Sequence, residues 1–97
     1  MALPKHLQPY LPSYNLAKLD KNDSSVSSEV ITQVLNLGDD KAVNWIFQNY
    51  TLEKIRKVVK NPQRGVWNKE SLNYWKQILK IDKISHYNEA ILNLYPI

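Results

Sequence analysis

The sequence predicts an all-α protein, a compact bundle of about five short helices carrying a helix-turn-helix-like unit and an irregular N-terminal arm. Three observations predict it. Apolar residues recur at three- and four-residue spacing in successive stretches from Val26 onward. Polar capping residues or a glycine stand at the joints between those stretches. No stretch of useful length alternates apolar and polar with period two, so no strand is expected.

Residues 1–23 form the arm. Leu3-Pro4, Gln8-Pro9 and Leu11-Pro12 each push the residue before proline toward extended backbone and remove an amide donor. Leu3, Leu7, Tyr10, Leu11, Tyr14, Leu16 and Leu19 can pin the arm to the core, and a short helix fits Asn15–Leu19. Residues 24–97 read as a single helical domain. Its first helix spans Val26–Leu37, with apolar positions 26, 30, 31, 34, 35 and 37, Ser24 or Ser25 as cap and Gly38 as a left-handed stop. Asp39 caps Asp40–Tyr50, whose inward face is Val43, Ile46, Phe47 and Tyr50. Thr51 caps Leu52–Lys60, with Leu52, Ile55, Val58 and Val59 inward. Asn61–Asn68 holds Pro62 and Gly65 and reads as a loop. Asn68 caps Lys69–Lys80, with Leu72, Trp75, Ile78 and Leu79 inward, and a final helix begins at Asp82 or Ser85 with Ile84, Tyr87, Ile91 and Leu94 on one face.

Charge is distributed unevenly. The 97 residues carry a net +4, yet residues 51–83 alone hold nine basic and three acidic side chains, or +6. Such asymmetry is the footprint of a polyanion-binding surface, although lysines also solubilise ordinary helix faces. The basic stretch coincides with a helix–loop–helix unit, Leu52–Lys60 and Lys69–Lys80. In a helix-turn-helix the second helix enters the major groove. Lys54, Lys57, Lys60 and Arg64 are then the expected phosphate anchors. Lys69, Asn73, Lys76, Gln77 and Lys80 face the base edges, where Asn and Gln can read adenine. An eight-residue loop is long for this motif, and Glu70 stands where it repels phosphate. A second reading makes the protein an interaction module that binds and neutralises a partner enzyme, with Trp45, Trp67 and Tyr74 as an exposed aromatic patch and Trp67 as the anchor.

Enzymatic chemistry has little to stand on. His6 and His86 lie near opposite ends of the chain, no residue pattern places a nucleophile beside either, and Asp39-Asp40 is explained by a helix N-terminus. With no Cys and only two Gly there is no thiolate site and no phosphate-cradling loop. No catalytic residue, metal site or cofactor is therefore expected. No apolar run reaches the roughly 20 residues a bilayer requires, and Met1–Pro12 lacks the apolar segment of a signal peptide. A cytoplasmic protein without membrane contact is expected, its oligomeric state left open.

The run WIFQNYTLEKIRKVV (Trp45–Val59) followed by NKESLNYWKQIL (Asn68–Leu79) resembles a group of small, uncharacterised helical bacterial proteins. Members share a Trp-x-Phe-x-x-Tyr-like helix, an Ile-Arg/Lys helix and a Leu-Asn-aromatic-Trp helix, and are often encoded beside nucleotidyltransferase-type toxins. The resemblance spans residues 24–81. It implies an antitoxin or transcriptional regulator, with double-stranded DNA or a toxin-type protein as partner, and carries over no catalytic motif. The arm departs from it: Leu11-Pro12-Ser13-Tyr14-Asn15 stands where Phe-Trp-Asp often follows the early Leu-Pro.

Overall fold

The computed structural model describes residues 3–92. It is all-α: helices α1 (Ser24–Leu37), α2 (Asp40–Asn49), α3 (Leu52–Lys60), α4 (Lys69–Ile78) and α5 (Tyr87–Ala90) follow two short 3-10 helices, Lys5–Tyr10 and Leu16–Lys18. Among the described residues there is no strand, only an isolated parallel bridge between Trp67 and Ile91. Helix α1 is central and touches α2, α3, α4 and the first 3-10 helix. Its sequence explains why. Val30, Ile31, Val34 and Leu35 are buried together with Ser27, Thr32 and Asn36, so α1 is enclosed around most of its girth.

The joints follow local chemistry, with some departures from expectation. Asp23, rather than Ser24 or Ser25, caps α1: its carboxylate accepts from the Ser25 and Val26 amides and the Ser25 hydroxyl. Those donors, the Ser25 hydroxyl foremost, hold the Asp23 carboxyl below its ordinary range. Asp39 and Thr51 cap α2 and α3 through the Ala42 and Lys54 amides. Gly38 is not left-handed (φ −76°, ψ 159°). It is required for space instead, because a Cβ there would lie 2.5 Å from the Val34 carbonyl oxygen. The left-handed helix stop falls after α4. Lys80, at φ 54°, donates its amide to Gln77, and the Ile81 amide reaches back to Lys76. That is the Schellman pattern, usually built on glycine. The final helix is one turn, Tyr87–Ala90, entered through a left-handed His86; Leu94 lies outside the described residues.

The arm folds back onto the bundle. Leu3, Leu7, Leu11 and Leu16 are buried in the same core as Ile31, Ile46, Ile55 and Leu72, and the Leu3 amide donates to the Leu16 carbonyl. The stretch expected to be irregular thus carries two 3-10 helices, with Leu7 and Leu16 in them and Leu3 and Leu11 beside them, and the first packs against α1. The loop between α3 and α4 is equally integrated. Trp67 is fully buried, its amide donates to Ala90 and its carbonyl accepts from Leu92. Five residues expected on core-facing surfaces point outward instead: Tyr14, Leu37, Phe47, Leu52 and Ile78 are exposed, and beside the last three Ile46, Ile55 and Leu79 take the inward positions.

Tyr50 closes the seam between α2 and the start of α1, donating its hydroxyl to the Lys21 carbonyl at 2.9 Å. Burial, and secondarily the Asp20 carboxylate, push its phenol from 10.0 up to about 12. The folded state therefore holds this proton after the unfolded chain has released it. The stabilisation is intact below pH 10 and is lost as pH climbs toward about 12. Urea denaturation across that window should show wild type losing stability more steeply than Tyr50→Phe, which has no phenolic proton to lose.

Candidate functional site

The cationic residues are positioned by α3. With Ile55, Val58 and Val59 buried, helical spacing turns Arg56, Lys57 and Lys60 toward solvent. The segment after α4 then wraps the C-terminal end of α3. The Arg56 Nη2 donates to the Lys80 carbonyl at 3.4 Å, and the Ser85 amide donates to the Lys60 carbonyl at 2.9 Å. Lys80 is thereby brought to Arg56, and the exposed Lys83 lies between the two anchor points. Leu52, Arg56, Lys57, Lys60 and Asn61 line a shallow surface groove here, with Glu53 as its carboxylate. Among the described residues, none of these cations is held in an ion pair.

The other expected anchors are dispersed. Lys54 is half-buried on the opposite flank of α3, in a cleft with Lys21, Asn49 and Tyr50. Arg64 is exposed next to Gly65, whose amide bonds the Glu89 carbonyl, so it sits by α5. On α4, Lys69, Asn73, Lys76 and Gln77 do share one side by helical spacing, whereas Lys80, expected there too, lies beyond the helix end in a left-handed turn. The expected reading face is nevertheless obstructed. Asn73 is half-buried and its Oδ1 accepts from the Tyr87 hydroxyl at 2.7 Å, while Lys69 borders a groove with Tyr87 and Leu92. Gln77 is the free amide on this helix.

The expected aromatic patch is corrected more sharply. Trp67 cannot serve as a surface anchor, because it is enclosed by the core. Trp45 is half-buried, with its ring edge-on to Tyr50 at 5.8 Å. Tyr74 alone of the three is well exposed, and it stands edge-on to Trp75 at 5.0 Å. Phe47, 5.8 Å from the same Trp75, and Ile78 join it on the surface. The apolar pattern predicts both in the core, although Ile78 and Leu79 are consecutive and so about 100° apart on a helix, a signal against burying both.

Among the described residues no group of three or more His, Asp or Glu side chains gathers as a metal site, and no helix is long and apolar enough to cross a membrane. No protein-family model, curated protein or solved structure matches the chain.

Proposed function

We propose that the protein is a DNA-binding regulator, of the antitoxin-like kind that the family resemblance implies, gripping the duplex backbone through the α3 face. The observation that carries this reading is the clustering of Arg56, Lys57, Lys60, Lys80 and Lys83 around one end of α3, Glu53 and Asp82 being the neighbouring carboxylates. Arg supplies a planar fork to phosphate oxygens and the lysines act as point charges. With Asn73 engaged by Tyr87, direct base reading falls to Gln77, so affinity comes mainly from phosphate contact and depends little on sequence.

Binding of a labelled duplex, followed by fluorescence anisotropy, should fall steeply with salt. Four or five neutralised phosphates give a log–log slope of about −4 between about 50 and 200 mM salt. No binding at micromolar protein in low salt would end the proposal. Lys80→Gly is the most discriminating variant. It relieves the left-handed strain at φ 54° and should raise stability by about 0.5–1 kcal/mol. It also removes a cation and should reduce the salt slope by about 1. A variant that is more stable yet binds more weakly separates charge from folding.

A further inference from the structure

The groove between α2 and α4 points to a second, unrelated surface. Both helices start beside the Asn36–Gly38 end of α1, where the Ser71 hydroxyl donates to the Asn36 carbonyl at 2.9 Å. Each packs on α1 more closely than on the other, which leaves a groove floored by Leu35, Val43 and Trp75. The floor is fixed, since the Trp75 indole N–H donates to the Leu35 carbonyl at 2.7 Å. Large apolar side chains surround it in the open: Leu37 is 54% exposed, Phe47 39%, Tyr74 56% and Ile78 52%. Phe47 and Tyr74 sit within regular helix with their rings against one buried Trp, and Ile78, the last residue of α4, stands one turn beyond Tyr74. Exposed apolar side chains grouped in this way mark docking surfaces.

Charge selects the occupant. Asp40 and Glu70 border the groove and, among the described residues, no Lys or Arg lines it, on a protein of net charge +4. Both acids lie in the first turns of their helices, where negative charge complements the helix dipole. The groove is thus acidic toward the helix starts and apolar toward Phe47 and Ile78. Helix α4 has 10 residues, about 15 Å, which matches roughly three turns of a partner helix laid along it. We infer that this groove takes a cationic amphipathic helix of another protein, its Lys or Arg residues toward Asp40 and Glu70 and its apolar stripe over Phe47, Tyr74 and Ile78. This surface is distinct from the α3 face, so one molecule can hold a polyanion and a basic protein segment together.

The test uses the full-length, ¹⁵N-labelled protein and a synthetic helix of about 14 residues with Leu at i, i+3, i+4 and i+7 and Lys at one end. Its counterpart carries Glu in place of Lys. The Lys peptide should shift the Trp75 indole resonance and the amides of residues 40–47 and 70–78. Tyr74→Ser and Ile78→Ser, both at exposed positions, should each weaken it by about tenfold, and Asp40→Asn with Glu70→Gln should weaken it further. The inference is overturned if the Glu peptide binds equally well, if Tyr74→Ser leaves binding unchanged, or if the shifts fall elsewhere. It is also overturned if the protein alone sediments as a dimer that Tyr74→Ser abolishes, which would make the occupant a second copy.

Discussion

Replacing Trp67 by alanine should destabilise the protein by about 3–5 kcal/mol, the range for emptying the site of a large buried aromatic. The residue is fully enclosed although it stands in a loop, and main-chain bonds to Ala90 and Leu92 fix it on both sides. A domain of this size has about twice that stability in total, so the variant should be largely unfolded in mild urea by circular dichroism. Trp67→Phe should behave differently. Among the described residues the buried indole Nε1 has no hydrogen-bond partner, and removing an unsatisfied donor offsets part of the lost packing. A loss within about 1.5 kcal/mol is expected. Any partner binding lost in Trp67→Ala then reports unfolding rather than a missing contact.

Asn36→Ala should lose about 2–4 kcal/mol, because one side chain satisfies two separate main-chain groups. Its Nδ2 donates to the Val66 carbonyl and its Oδ1 accepts from the Asn68 amide, each at 2.9 Å. Asn68 occupies the cap position of α4 but makes no side-chain cap of its own. Asn36 instead fixes the chain as it enters that helix. Alanine would leave a donor and an acceptor stranded against α1, whereas Ser71→Ala removes a single half-buried bond to the Asn36 carbonyl and should lose about 1 kcal/mol. Equilibrium urea unfolding of the pair checks the difference.

The regular helices were legible because their signals are local. Stripes such as Val30, Ile31, Val34 and Leu35, and the caps Asp39 and Thr51, depend on neighbours three or four residues away. What failed was decided at long range. Trp67 sits in a stretch with no periodicity, and its main chain is tied to Ala90 and Leu92, more than 20 residues further on. Phe47, Leu52 and Ile78 have apolar chemistry that fits a core, but neighbouring positions filled the space. Gly38 was read correctly as a joint for the wrong cause, since close approach to Val34 rather than backbone handedness excludes a side chain. The cationic stretch was visible as composition. Its division into an α3 cluster, an outlying Lys54 and an α5-side Arg64 depends on how the chain folds over itself. The acidic apolar groove was hidden for the same reason, being assembled from residues about 30 apart.

The interior draws on Leu3 and Leu7 at one extreme and on Ala90 at the other. No shorter contiguous fragment contains a complete interior. The main-chain bonds that tie Trp67 to Ala90 and Leu92 therefore form only once the stretch near residue 90 can fold back, which makes closure of this core a late event during synthesis.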